Sequence, residues 1–166
     1  MSRGYQRAVK RLARREHSEA EILRGLRKDK VPEEEAQGAV ERLRGQKYLD
    51  DKRLAATVAR TRIGRQGQGR NRVRAELRRR GVDRGIIETG LREALQDVSE
   101  QGALDALARR FWTQRTRDEP ARRILKLRAF LLRRGFPAGL VQDRLAALWP
   151  RWREALDDLP EDADEE

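Results

Sequence analysis

Arginine dominates any search for chemistry in this chain. Lys and Arg supply 39 of the 166 residues against 28 Asp and Glu and one His, for a net charge of +11. The densest run holds Arg70, Arg72, Arg74, Arg78, Arg79 and Arg80, and Arg60, Arg62 and Arg65 precede it. Helical spacing puts Val73 and Leu77 on a buried stripe, sets Arg70, Arg74 and Arg78 on nearby strips, and turns Arg72 and Arg79 toward the other side. A planar guanidinium forks onto carboxylate and phosphate alike. These nine arginines therefore define a candidate basic face for DNA or an acidic protein, and Gly67 and Gly69 beside them let backbone approach a partner. The competing reading is a solvated face that keeps a repeat protein soluble.

Catalysis finds little support. His17 stands alone just before a helix cap, with no cysteine or second histidine to share a metal. Asp50-Asp51 is a carboxylate pair that a capping role explains. No phosphate-cradling loop or dinucleotide fingerprint is present. The expectation is a protein that is not an enzyme, with no cofactor and no metal. Phe111-Trp112, Trp149 and Trp152 could stack on bases, but Trp149 follows the Leu145–Leu148 stripe, and packing is the better account. Phe130 and Phe136 read as core.

The elements that must carry these residues are helices. Nearly every segment has helical spacing, and breakers fall at Val31-Pro32, Gly64 to Gly69, Gly81, Asp118 to Pro120 and Gly135 to Pro137. Three segments superimpose. Leu26, Val31, Ala36, Val40 and Leu43 match Leu77, Val82, Ile87, Leu91 and Ala94, then Leu131, Phe136, Val141, Leu145 and Leu148. Gly81 and Gly135 fall just past a helix, where the left-handed conformation suits glycine. Lys30 holds that place in the first copy and should strain the turn or change its type. Ser18 with Glu21 predicts a capping box, and Asp83 a cap. Helices over 5–15, 51–66 and 99–114 fit in front of the copies.

The expected fold is all-α, a tandem array of three three-helix repeats that is elongated, as stacked modules are. The repeats span 1–47, 48–97 and 98–152, with an acidic tail at 153–166. Seven of the 28 acids lie in 157–166, so residues 1–156 carry +18. The tail reads as a solvating end, or as a brake that folds back on the arginines. No apolar run approaches the roughly 20 residues of a membrane span, and the N-terminus lacks a secretory core. A cytoplasmic monomer with no membrane partner is expected.

The series Leu12-Ala-Arg-Arg-Glu-His-Ser18, Glu21, Leu26, then Tyr48-Leu-Asp-Asp51, Arg53, then Gly67-Gln-Gly69, Glu76-Leu77 and Gly81-Val82 resembles the RecX family over about residues 5 to 150. The family often has a glycine at Lys30 and an aromatic near Leu54. The resemblance implies a curved array that lies in the groove of a filament of RecA on single-stranded DNA. There it would span neighbouring subunits and inhibit recombination activity. Its partners would be RecA and that filament. The alternative is a direct DNA-binding protein using a helix-turn-helix-like pair. Neutralising about six phosphates would then give a log–log salt slope near about −5.

Overall fold

The computed structural model describes residues 2–154, and they form helices and turns with no strand among them. The acidic tail from residue 155 onward lies outside the described residues. The first three-helix repeat comprises α1 (Arg3–Leu12), α2 (Glu19–Lys28) and α3 (Glu33–Gly45). The second comprises α4 (Asp51–Arg60), α5 (Arg70–Arg79) and α6 (Arg84–Asp97), with a π-helical turn, Thr61–Arg65, continuing α4. The third comprises α7 (Glu100–Gln114), α8 (Pro120–Arg133) and α9 (Ala138–Leu148). The chain is all-α, built from three copies of one motif.

By contacts it divides into two compact units, Met1–Arg60 with Arg74–Asp97, and Thr61–Val73 with Val98–Glu166. Segment 61–73, which the sequence assigns to the middle repeat, thus packs with the third. In the first unit, Leu26, Val31, Ala36, Val40 and Leu43, the stripe read from periodicity, close a core with Ala8 and Ile22. In the second, Leu104, Ala108, Leu127, Leu131, Phe136, Val141 and Leu145 do the same, and Phe111 and Trp152 join them. Trp112 and Trp149 pack with ring centroids 4.4 Å apart against this cluster. These aromatics are occupied by packing.

Each repeat turns between its second and third helices in one way. The backbone N–H of Val31 donates to the Leu26 carbonyl at 3.0 Å, Val82 to Leu77 at 3.1 Å, and Phe136 to Leu131 at 3.3 Å. One residue earlier, Lys30, Gly81 and Gly135 donate to Arg27, Arg78 and Leu132. This is the Schellman pattern, with the apolar contact that accompanies it. Its left-handed residue is Gly81 at φ 84°, Gly135 at φ 87°, and Lys30 at φ 58°. The lysine keeps the turn type and accepts the strain.

Glycine at the second and third turns has another cause. A Cβ on Gly81 would fall 2.5 Å from that of Ala20, and one on Gly135 would overlap the backbone of Arg72. Each turn lies against the start of the preceding repeat's second helix. Lys30 is exposed. Replacing Lys30 with Gly should therefore stabilise the protein by about 1 kcal/mol by removing the αL strain. Gly135→Ala should cost roughly 2 kcal/mol or more, since strain and steric overlap add. Urea unfolding midpoints check both; a stabilising G135A would contradict the docking.

Candidate functional site

The nine arginines singled out by sequence separate into two populations. In the first unit, Arg60 donates through Nε to Asp97 at 2.6 Å and through Nη2 to Glu93 at 2.7 Å. Arg74 grips both carboxylate oxygens of Glu88, at 2.6 and 3.0 Å. Arg80 lies against Glu21 Oε2 at 3.0 Å and the Glu16 carbonyl at 2.8 Å, with only 15% of its side chain exposed. Arg78 and Arg79, by contrast, are exposed and make no ion pair among the described residues.

The second unit repeats this division. Arg70 donates its backbone N–H to Glu100 Oε1 at 2.7 Å and its Nε to Oε2 at 2.6 Å. The Glu100 side chain is 3% exposed. Arg62 is half-buried and donates to Gln66 at 2.9 Å. Arg65 and Arg72 are exposed. The three arginines expected to act together thus diverge: Arg70 and Arg74 engage carboxylates of their own chain, and Arg78 faces solvent. Charge-assisted forks of this kind are the strong ones. Removing one partner of a shielded pair costs far more than a surface pair contributes.

The glycines beside them serve the chain itself. Gly69 donates to the Arg134 carbonyl at 2.8 Å, Asn71 donates to the Gly135 carbonyl at 3.0 Å, and Arg134 Nε donates back to the Gly67 carbonyl at 3.1 Å. The backbone that Gly67 and Gly69 admit is therefore that of the third repeat. Sequence reasoning missed the acids that hold the arginines. One signal was available: Glu100 occupies the first turn of a helix that opens a repeat.

Glu21 is the most connected of these acids. Burial pushes its carboxyl up, but hydrogen bonds from Arg15, Arg80 and the Ser18 backbone outweigh that and hold it at about 2. Ser18 and Glu21 complete the capping box read from sequence. Ser18 also donates its hydroxyl to the Arg80 carbonyl at 2.5 Å. Burial lowers the imidazole of His17, whose Nδ1 lies 2.9 Å from the Arg15 carbonyl and so carries the proton. It is a structural histidine. Among the described residues no cluster of His, Asp and Glu could hold a metal, and no helix is long and apolar enough to cross a membrane.

Three linked three-helix modules with an arginine-rich middle define a class, the tandem helical-repeat proteins. Family models described as the first, second and third three-helix domains of RecX match residues 5–43, 50–91 and 99–145. Regulatory protein RecX of Xanthomonas oryzae pv. oryzae (strain MAFF 311018) is 40% identical over 137 residues, 82% of this chain and 83% of that protein. Its namesake in Geobacillus kaustophilus (strain HTA426) is 36% identical over 147 residues, 88% of this chain and 54% of that one. A crystal structure of regulatory protein RecX covers 84% of this chain and 70% of its own, with a TM-score of 0.72 at 26% identity. A RecX structure from Lactobacillus salivarius shares the fold, with a TM-score of 0.76 at 21% identity, covering 87% and 94% of the two chains. The chain belongs to the RecX family of regulatory proteins.

Glu21 titrates below its ordinary value of 4.5, so its ionised form stabilises the fold above that pH. The contribution drains away as pH falls from about 4.5 through about 2. Glu21→Gln should cost about 2 kcal/mol at neutral pH and flatten the acid limb of the stability curve across that window. An unchanged acid slope in urea melts would contradict the assignment.

Proposed function

We propose that the chain regulates the RecA recombinase without catalysing a reaction, by laying exposed arginines against RecA and its filament on single-stranded DNA. The observation that carries this reading is the ordered match of all three RecX domains along residues 5–145. Physical support comes from the excess of +18 on residues 1–156. Such a field attracts a polyanionic filament and raises the association rate.

The two arginine populations divide the work. Arg60, Arg70, Arg74 and Arg80 fix helices in place. Arg78 and Arg79 in one unit, and Arg65 and Arg72 in the other, contact the partner. Recognition is mixed, because phosphate and carboxylate reward the same guanidinium fork. The effect on the filament is inhibition, as subunits bridged by one ligand lose the freedom to cycle.

A titration of the single-stranded-DNA-dependent ATPase of RecA tests this. Wild type should inhibit, and R78E/R79E or R65E/R72E should each weaken inhibition about tenfold, at roughly 0.7 kcal/mol per reversed charge, with unfolding midpoints unchanged. Inhibition by both double variants at the wild-type level would remove these arginines from the interface. An ATPase indifferent to wild type would remove RecA. Duplex binding without RecA, with a salt slope near about −5, would favour direct DNA binding.

A further inference from the structure

Helix α1 carries Arg3, Arg7, Lys10 and Arg11 and no acid, and Arg14 follows it. Arg7, Lys10, Arg11 and Arg14 recur at helical spacing and line one open cavity of about 200 Å³ with a single acid, Asp29. The hydrogen bond from Arg11, joined by the charges of Arg7 and Lys28, holds the Asp29 carboxyl below its ordinary range. Four cations against one ionised acid leave the lining at +3.

Two of these cations are fixed in place by the chain. Arg7 Nη1 donates to the Asp29 carbonyl at 3.0 Å, and Arg11 Nη2 donates to the Gly25 carbonyl at 3.2 Å and to Asp29 Oδ2 at 2.9 Å. Both guanidiniums are thus pinned to the C-terminal end of α2, the end that favours cations. A Cβ on Gly25 would fall 2.8 Å from Arg11 Cζ, so this glycine, a residue that weakens a helix interior, makes the seat for the guanidinium. Each arginine has five N–H donors, and these bonds use one nitrogen of each. Lys10 and Arg14 are exposed and make no ion pair among the described residues.

The repeat motif does not account for this arrangement. With Leu26 laid on Leu77 and then on Leu131, Arg7, Lys10 and Gly25 fall on Val58, Thr61 and Glu76, then on Trp112, Arg115 and Phe130. The four cations and the glycine seat occur together in the first repeat alone.

We infer that this cleft grips the phosphate backbone of duplex DNA without reading its bases. All five lining residues are charged. The cores of protein–protein interfaces are depleted of charge, and single strands are held by stacking bases on aromatic rings; the lining suits neither. Phosphate contacts fix position and carry no sequence information. Residues 7 to 14 cover about 10 Å at about 1.5 Å per residue, which is roughly three phosphates at about 3.4 Å along one strand of a duplex. Three such contacts give a log–log salt slope near about −3, shallower than six would. This goes beyond the filament reading, uses none of its arginines, and has a test that needs no RecA.

The full chain is titrated into a fluorescein-labelled duplex of about twenty base pairs over a range of salt, and anisotropy is read. Wild type binds. K10E/R14E weakens binding about tenfold and makes the salt slope shallower by about 2, with thermal midpoints unchanged because both side chains are exposed and unpaired. R84E/R92E reverses two exposed charges of α6 that do not line the cleft, and it weakens binding less than about threefold. G25A keeps the net charge and displaces Arg11, and it weakens binding about threefold. Equal losses in the two reversed pairs, with G25A at the wild-type level, would mean a diffuse field and overturn the proposal. So would an oligothymidylate or an oligoglutamate that wild type binds more tightly than the duplex and that K10E/R14E releases.

Discussion

The start of an α-helix leaves its first four N–H groups without partners in the helix, and shielded ones must find them elsewhere. In this chain the second helix of one repeat finds a partner in the repeat that follows. The N–H of Glu19, first residue of α2, is accepted by Asp51, first residue of α4, at 3.0 Å. The N–H of Arg70, first residue of α5, is accepted by Glu100, first residue of α7, at 2.7 Å. The capping residues beside them, Ser18 and Gly69, donate to the carbonyls of Arg80 and Arg134 in the corresponding turns. An acid at one helix start and a carbonyl at one helix end form a repeated latch. It places a negative charge at a positive helix terminus, the favourable sense of the dipole.

Three positions depart from this pattern. Helix α1 opens with Arg3 where α4 and α7 open with acids. The first turn holds Lys30 where the later ones require glycine. Helix α8 opens with Pro120, which has no N–H to donate. The latch chemistry is followed at Asp51 and Glu100. The same logic separates the arginines. Those that hold Glu88, Glu93, Asp97, Glu100 and Glu21 are structural, whereas Arg65, Arg72, Arg78 and Arg79 are exposed.

Much of this was legible in the residues. The periodic apolar positions gave the buried stripe of each repeat, the Ser18–Glu21 pair gave a capping box, and Gly81 and Gly135 gave left-handed turns, because each depends on spacing along one helix or turn. The apportioning of the arginines was not legible. Helical geometry says which arginines share a strip, but Glu100 is 30 positions from Arg70 and Asp97 is 37 from Arg60, and tertiary folding alone brings them together. Gly67 and Gly69 misled for the same reason: glycine signals close approach without saying whose backbone approaches. Lys30 taught the opposite lesson, since the turn conformation prevailed over the preference of its residue.

Hydrogen exchange at the two latched amides tests the central claim most directly. Each latch is a charge-assisted hydrogen bond of about 1.5–3 kcal/mol, so its loss accelerates exchange by roughly tenfold or more. Glu100→Ala should expose the Arg70 amide while the Glu19 amide keeps its protection, and Asp51→Ala should reverse the pattern. Equal protection of both amides in both variants would mean that the repeats are joined by apolar packing alone.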